Sequence, residues 1–206
     1  MTYYQNSTKT HTMNRAFTIF LLLIISTTLL YSQTKEEDHV FLAPVKEQGR
    51  WGYINTNGKY LVNPKFEFAN DFSENLAAVK INGRWGYIDG TGKYLIKPKF
   101  EDAYNFVGKL ARVKLGEKWG YIDKQGNYII EPTFEYANDF SEGLALVLFN
   151  GKYGYINTAG AYAITPSYED AFDFSEGMAL VYNDGRWGYV NKNHRLTTLP
   201  ACEEVS

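Results

Sequence analysis

Acidic and hydroxyl side chains recur at one fixed interval along this chain, and they are where chemistry would be sought first. Glu67, Glu101, Glu135 and Glu169 follow one another at equal steps, and Asp71, Asp139 and Asp173 accompany Ser73, Ser141 and Ser175. In Asp139-Phe140-Ser141-Glu142-Gly143 two acids and a hydroxyl stand close together, and such oxygen donors suit calcium. The same residue types also cap turns, because Asp and Ser bond nearby backbone amides. Calcium loops carry denser alternating acids, so turn capping is the expectation here. Glycoside cleavage needs two differently tuned carboxylates in one cleft, whereas an acid present in every copy points to architecture. His11, His39 and His194 are the only histidines and are widely separated in sequence, which argues against a three-histidine metal site. The single cysteine, Cys202, forms no internal disulfide and belongs to no CxxC pair. No nucleophile elbow, zinc-protease, Walker or dinucleotide-binding pattern is present. These residues predict no catalytic site, no metal and no cofactor.

A second recurring set is aromatic. Trp51, Trp85, Trp119, Tyr153 and Trp187 stand at a constant interval of 34, each followed by a glycine: Gly52, Gly86, Gly120, Gly154 and Gly188. An exposed column of such rings would stack on sugars. A buried one is core, the commoner fate of large aromatics on one face of a strand. We treat these ten residues as a repeat signature with a structural role.

The elements that carry the signature read as short strands. In Leu76 to Ile81 an apolar run precedes Asn82-Gly83, the preferred pair for a two-residue turn with positive φ at both positions. Arg84-Trp85-Gly86-Tyr87-Ile88 is a second strand, with Trp85 and Tyr87 on one face and Gly86 and Ile88 on the other. Gly86 lowers strand propensity and so marks a close approach of a neighbour. Asp89 opens a turn closed by the left-handed Gly92, and a third strand runs from Lys93 to Pro98, which ends it. Phe100, Ala103 and Phe106 then line one side of a bent connection. The other copies repeat this: turns at Gln48-Gly49, Gly116-Glu117, Asn150-Gly151 and Asp184-Gly185; turn-opening Asn55, Asp123, Asn157 and Asn191; left-handed Gly58, Gly126, Gly160 and His194; prolines 64, 132, 166 and 200. The same period also belongs to tetratricopeptide helix pairs, but Asn-Gly, Asx-x-x-Gly and Pro punctuation is that of hairpins.

Composition fits a folded core. Aromatic residues make up 17% of the 206-residue chain and net charge is −2. Residues 1–32 contain Lys9 and Arg15 and no acid, leaving 19 bases against 23 acids in the rest, which argues against nonspecific nucleic-acid binding. Residues 1–32 read as a signal peptide: Arg15, an apolar run from Ala16 to Ile25, and Ser32 before a cut that leaves Gln33 first. Met13 makes a better start for it than Met1. An uncleaved membrane anchor is the alternative, although the apolar run falls short of the roughly 20 residues of a bilayer span. The organisation expected is a leader over 1–32, a linker over 33–39, five repeats over 40–200 and a polar tail over 201–206. The mature chain is expected in the periplasm or outside the cell.

Gly-Lys/Arg-Trp-Gly-Tyr-Ile-Asp/Asn, then Gly-Lys, Pro-x-Phe/Tyr-Glu-x-Ala and Phe-Ser-Glu-Gly-Leu-Ala resembles the WG repeat family of bacterial proteins over about residues 40 to 200. Departures are local: Tyr153 for Trp, Val107-Gly108 for Ser-Glu, and Asn75 and Lys109 where Gly143 and Gly177 stand. The resemblance implies a cell-envelope setting and no shared enzymatic activity. The fold expected is all-β: five tandem three-stranded antiparallel meanders in an open twisted stack, with a closed five-bladed propeller as the rival. The function expected is a non-catalytic repeat protein whose β-surface binds a protein partner or builds envelope structure. A cell-wall glycan module using the aromatic column is the alternative, and a hydrolase would need a non-repeated residue cluster.

Overall fold

Hairpin punctuation produces the observed strands almost residue for residue. The structure, a computed structural model, describes residues 42–198. The leader, the linker, the tail, His11, His39, Pro200 and Cys202 lie outside the described residues. Sheet 1 holds β1 (Ala43–Glu47), β2 (Arg50–Ile54) and β3 (Tyr60–Phe66). Sheet 2 holds β4 (Phe68–Ala69), β5 (Leu76–Ile81), β6 (Arg84–Asp89) and β7 (Tyr94–Phe100). Sheet 3 holds β8 (Asp102–Ala103), β9 (Ala111–Leu115), β10 (Lys118–Ile122) and β11 (Tyr128–Phe134). Sheet 4 holds β12 (Tyr136–Ala137), β13 (Leu144–Phe149), β14 (Lys152–Asn157) and β15 (Tyr162–Tyr168). Sheet 5 holds β16 (Asp170–Ala171), β17 (Met178–Asn183), β18 (Arg186–Asn191) and β19 (Leu196–Thr198).

The expected three-stranded meander is therefore present in every unit. The connector adds to it: residues just after Phe66, Phe100, Phe134 and Tyr168 form a very short strand that pairs with the next meander, as Phe68↔Lys80 and Ala69↔Val79 do. Turn chemistry is as the residue types require. Asn82 and Gly83 have φ of 51° and 73°, and the Asp89 carboxylate accepts from the amides of Thr91 and Lys93 at 2.9 and 3.1 Å.

The prolines differ from expectation. Pro98 does not end its strand but sits inside β7. Trp85 pairs with Phe100 and Tyr87 with Ile96, so β7 uses more chain than β6 over the same span and the edge strand bulges. Pro98 falls in that bulge, where a missing N–H breaks no ladder bond. Gly86 faces it: a Cβ there would lie 2.6 Å from both Ile96 O and Pro98 N. Gly52, Gly120 and Gly154 meet the backbone around Pro64, Pro132 and Pro166 in the same way. The signature glycine and the proline on the next strand are thus one device.

Sheets pack face to face through one repeated interface. Tyr87, Ile96 and Phe100 of sheet 2 bury against Ala111, Val113 and Ile122 of sheet 3. Tyr53, Val62 and Phe66 meet Ala77, Val79 and Ile88 in the same manner, and the remaining two interfaces repeat it. Each inner sheet is consequently covered on both faces. Among the described residues no strand pairing joins sheets 1 and 5. Tyr189 is 40% exposed where Tyr53, Tyr87, Tyr121 and Tyr155 are at most 1% exposed, because no sixth sheet lies over it. The array is open.

Candidate functional site

The signature Tyr, rather than the signature Trp, occupies the centre of each interface. The phenols of Tyr53, Tyr87, Tyr121 and Tyr155 donate to the carbonyls of Asn70, Tyr104, Asn138 and Phe172 at 2.7, 2.7, 2.5 and 2.6 Å. Each bond ties a hairpin to the connector that follows it. Burial pushes all four phenols well above the ordinary tyrosine range. Sequence reasoning passes over these tyrosines, although their presence in all five copies is an available signal.

The signature aromatic lies nearer the rim. Trp119 is 8% exposed, Trp51, Trp85 and Tyr153 are half-buried, and Trp187 reaches 36%. A ring from the preceding connector covers four of them: Phe68 on Trp85 at 6.2 Å, Tyr104 on Trp119 at 5.8 Å, Tyr136 on Tyr153 at 6.5 Å and Phe172 on Trp187 at 5.9 Å. Phe68 and Trp85 are close to parallel, so one face of that indole is already occupied.

The recurring carboxylates bind the array's own turns. Glu67 accepts from the Gly83 amide at 3.1 Å, Glu101 from Glu117 at 3.2 Å, and Glu135 from Asn150 and Gly151 at 3.2 and 3.0 Å. Each also faces the base before the signature aromatic: Arg50, Arg84, Lys118, and for Glu169 Lys152. The turn amides of Glu117 and Gly151, with those bases, hold Glu101 and Glu135 below the usual carboxylate range. Ser73 and Ser141 donate to the carbonyls of Phe106 and Phe174 in the next connector at 2.6 and 2.8 Å. Glu74 accepts from the Lys109 amide and pairs with Lys124, and Glu142 does the same with the Gly177 amide and Lys192. Among the described residues no three His, Cys, Asp or Glu side chains converge as metal ligands.

Residues 51–85, 85–119, 119–153 and 153–187 match the family described as WG containing repeat. The chain belongs to the WG repeat family. Its description names a repeat and no reaction. No curated protein matches the chain. Similar solved structures include Hsv2 of Kluyveromyces lactis (13% identity, TM-score 0.49, covering 76% of this chain and 58% of that one). A eukaryotic initiation factor is another (15%, TM-score 0.48, 79% and 53%). PorZ, a surface component of the type-IX secretion system of Porphyromonas gingivalis, is a third (7%, TM-score 0.42, 79% and 25%). The chain spans less than two thirds of each of these proteins.

Departures from the WG pattern stand out against this background. Arg112 occupies the position of Ala78, Leu146 and Leu180. Its guanidinium lies over the Tyr104 ring at 3.5 Å and donates to the Ala137 carbonyl at 2.6 Å. Its Nε stands 2.9 Å from Asp139 Oδ1, an ion pair without an aligned hydrogen bond. Burial raises the Asp139 carboxyl, with Arg112 opposing and Asp173 adding to the rise. The cluster fastens sheet 3 to the connector of sheet 4. Its signal in the sequence is the break in an otherwise apolar column.

A further surface lies on the sheet edges. In β3, β7 and β11 the second residue points outward: Leu61, Leu95 and Ile129 are 45, 53 and 46% exposed. These strands end their sheets, and the row repeats at the interval of the signature.

Proposed function

We propose that this WG repeat chain is an exported, non-catalytic scaffold whose outer edges bind a protein partner. The exposed row of Leu61, Leu95 and Ile129 carries the reading. Apolar residues repeated on consecutive edges form an extended surface of the kind solenoid arrays offer to partners, and contiguous exposed apolar surface marks interaction sites. Glu67, Glu101 and Glu135, Ser73 and Ser141, and the four buried phenols are engaged with the array's own backbone, which favours the edges as the surface that acts. The basic, apolar leader supports export.

The test is affinity capture from an envelope extract of the source cell. The wild-type chain is compared with a variant in which Leu61, Leu95 and Ile129 are all serine, and its folding is verified by circular dichroism. A protein recovered by the first and lost by the second supports the scaffold; identical recoveries refute it. N-terminal sequencing after secretion should read from Gln33, and an intact leader would refute cleavage. A glycan-binding reading draws on Phe68 and Phe172, which are 56 and 54% exposed. Pelleting with purified peptidoglycan that Phe68→Ala and Phe172→Ala abolish would favour it over the protein partner.

A further inference from the structure

Lysines on the outer edges are concentrated at one end of the array, a bias shared by Lys46, Lys80 and Lys114, which give way to Leu148 and Tyr182. Lys59 and Lys65 flank or belong to β3, and Lys93, Lys97 and Lys99 flank or belong to β7; all five are exposed. The positions on β11 equivalent to those of β7 are Asn127, Glu131 and Thr133, and on β15 they are Ala161, Thr165 and Ser167. The first two edges are therefore basic, and the next two carry no base at these positions. Overall composition does not explain this, because the chain is net acidic at −2.

The charges of these edge lysines, like those of Lys46, Lys80 and Lys114, are not neutralised by a neighbouring carboxylate among the described residues. Arg50, Arg84, Arg112, Lys118, Lys124, Lys152 and Lys192 each meet a carboxylate. Lys65 and Lys99 instead extend over rings, 5.1 Å from Phe66 and 4.9 Å from Phe100, and Lys99 also lies 5.7 Å from Tyr128. Lysine on an edge strand can serve simply to prevent edge-to-edge aggregation. Here a bulge and a proline already meet that task on each of these edges, and β11 and β15 rely on Pro132 and Pro166 without lysine. The edge lysines are surplus to it.

We infer that the basic edges of sheets 1 and 2 are the docking site for an acidic segment of a partner protein. This rests on the scaffold reading above and names its chemistry. Tyr60, Leu61 and Leu95 stand exposed among the lysines, so the matching ligand carries apolar side chains between its acids. That favours a protein segment over a uniform polyanion or a lipid surface. Packed sheets lie about 10 Å apart and an extended chain advances about 3.3 Å per residue, so acids a few residues apart span the two edges. The bulges at Pro64 and Pro98 interrupt the ladder, and recognition is by side chains rather than by an added strand.

The experiment uses the full chain and a fluorescein-labelled synthetic peptide of alternating glutamate and leucine, with binding read by anisotropy. The peptide should bind the wild type, and more weakly as salt is raised. K93E/K97E/K99E should weaken it about tenfold or more. A161E/T165E/S167E, the same change on the fourth edge, should leave affinity within about twofold. Circular dichroism confirms that both variants fold. Equal binding by the wild type and the β7 variant overturns the inference. So does a glutamate/serine peptide, dextran sulfate or phosphatidylglycerol vesicles binding as tightly as the glutamate/leucine peptide. Partner capture that depends on Leu61, Leu95 and Ile129 but survives K93E/K97E/K99E removes the acidic-segment inference and leaves the scaffold standing. Loss of both results removes both.

Discussion

Three glycines in one repeat should respond to alanine in three different ways, and the order tests why the signature contains a glycine. Gly86 has no left-handed φ, yet its Cβ would fall 2.6 Å from Ile96 O and Pro98 N and 2.9 Å from Lys97 C, where ordinary contact begins at 3.4 Å. All three atoms are backbone, held in place because Ile96 and Phe100 on either side of the bulge are buried. Relief requires moving the edge strand off the core, so Gly86→Ala should cost about 3 kcal/mol, at the upper end for overpacking. Gly83 has φ of +73° and open space around its Cβ position. Gly83→Ala should cost about 1–2 kcal/mol, the strain of a left-handed alanine. Gly90 has neither constraint, and Gly90→Ala should be neutral or stabilise by a few tenths up to about 1 kcal/mol through the unfolded chain. Urea titration followed by tyrosine and tryptophan fluorescence ranks the three, and for a chain of this size Gly86→Ala should lower Tm by about 6–12 °C. If Gly86→Ala proves no worse than Gly83→Ala, the bulge is not rigid and the pairing of signature glycine with downstream proline is wrong.

Other measurements follow from the same geometry. Tyr87→Phe leaves the Tyr104 carbonyl without its 2.7 Å donor and should cost about 1–3 kcal/mol in urea titration; a change below about 0.5 kcal/mol would show that water replaces the phenol. Because burial raises the folded pKa of Tyr53, Tyr87, Tyr121 and Tyr155, the neutral phenol is the form that the native array holds. That stability is fully present below the unfolded value of about 10 and is lost as pH rises above it. Ultraviolet titration should accordingly show these four phenols ionising together with alkaline unfolding, and independent ionisation near pH 10 in a folded array contradicts their burial. Single-tryptophan variants retaining only Trp119 or only Trp187 should differ in iodide quenching, with Trp187 the more accessible; equal quenching contradicts the open end of the array.

Much of the fold is legible because its turns use residues with few other reasons to be there. Asn82-Gly83 and Asp89 to Gly92 state their backbone angles through residue type, and Asn55, Asp123, Asn157 and Asn191 repeat the statement of Asp89. Three features lie beyond that kind of reading. The strand Phe68–Ala69 is very short, too short for alternation to register, and it exists only because β5 offers a free edge. Pro98 reads as a stop because the bulge that accommodates it depends on Gly86, a partner across the ladder rather than a neighbour in sequence. Trp85 and Tyr87 share a face, and alternation cannot say which is central. Position across the sheet decides it, placing Tyr87 between two sheets and Trp85 at the rim beneath Phe68. The candidate binding surface is less legible still, since Leu61, Leu95 and Ile129 look like ordinary strand residues until the sheet order puts their strands at edges.

A repeat array separates architecture from function by what fails to recur. The Tyr phenols, the Glu carboxylates at turns and the Gly–Pro bulges hold in nearly every unit, and each is bonded to the chain itself. A second layer recurs at twice the period: Lys124 and Lys192 donate to the carbonyls of Glu74 and Glu142, far back along the chain in each case. Asn70 and Asn138 likewise bond to Asn105 and Asp173 in the next connector. Units are thus fastened in pairs, and this layer too is architectural. What remains after both periods are removed includes Arg112, the lysines of β3 and β7, and Lys46, Lys80 and Lys114, which lie over Trp51, Trp85 and Trp119 and give way to Leu148 and Tyr182. Arg112 is largely buried and committed to Tyr104, Ala137 and Asp139. The edge lysines are exposed and meet no carboxylate among the described residues, and they surround the two leucines of the edge row. A partner that distinguished one end of this array from the other would have those residues to read.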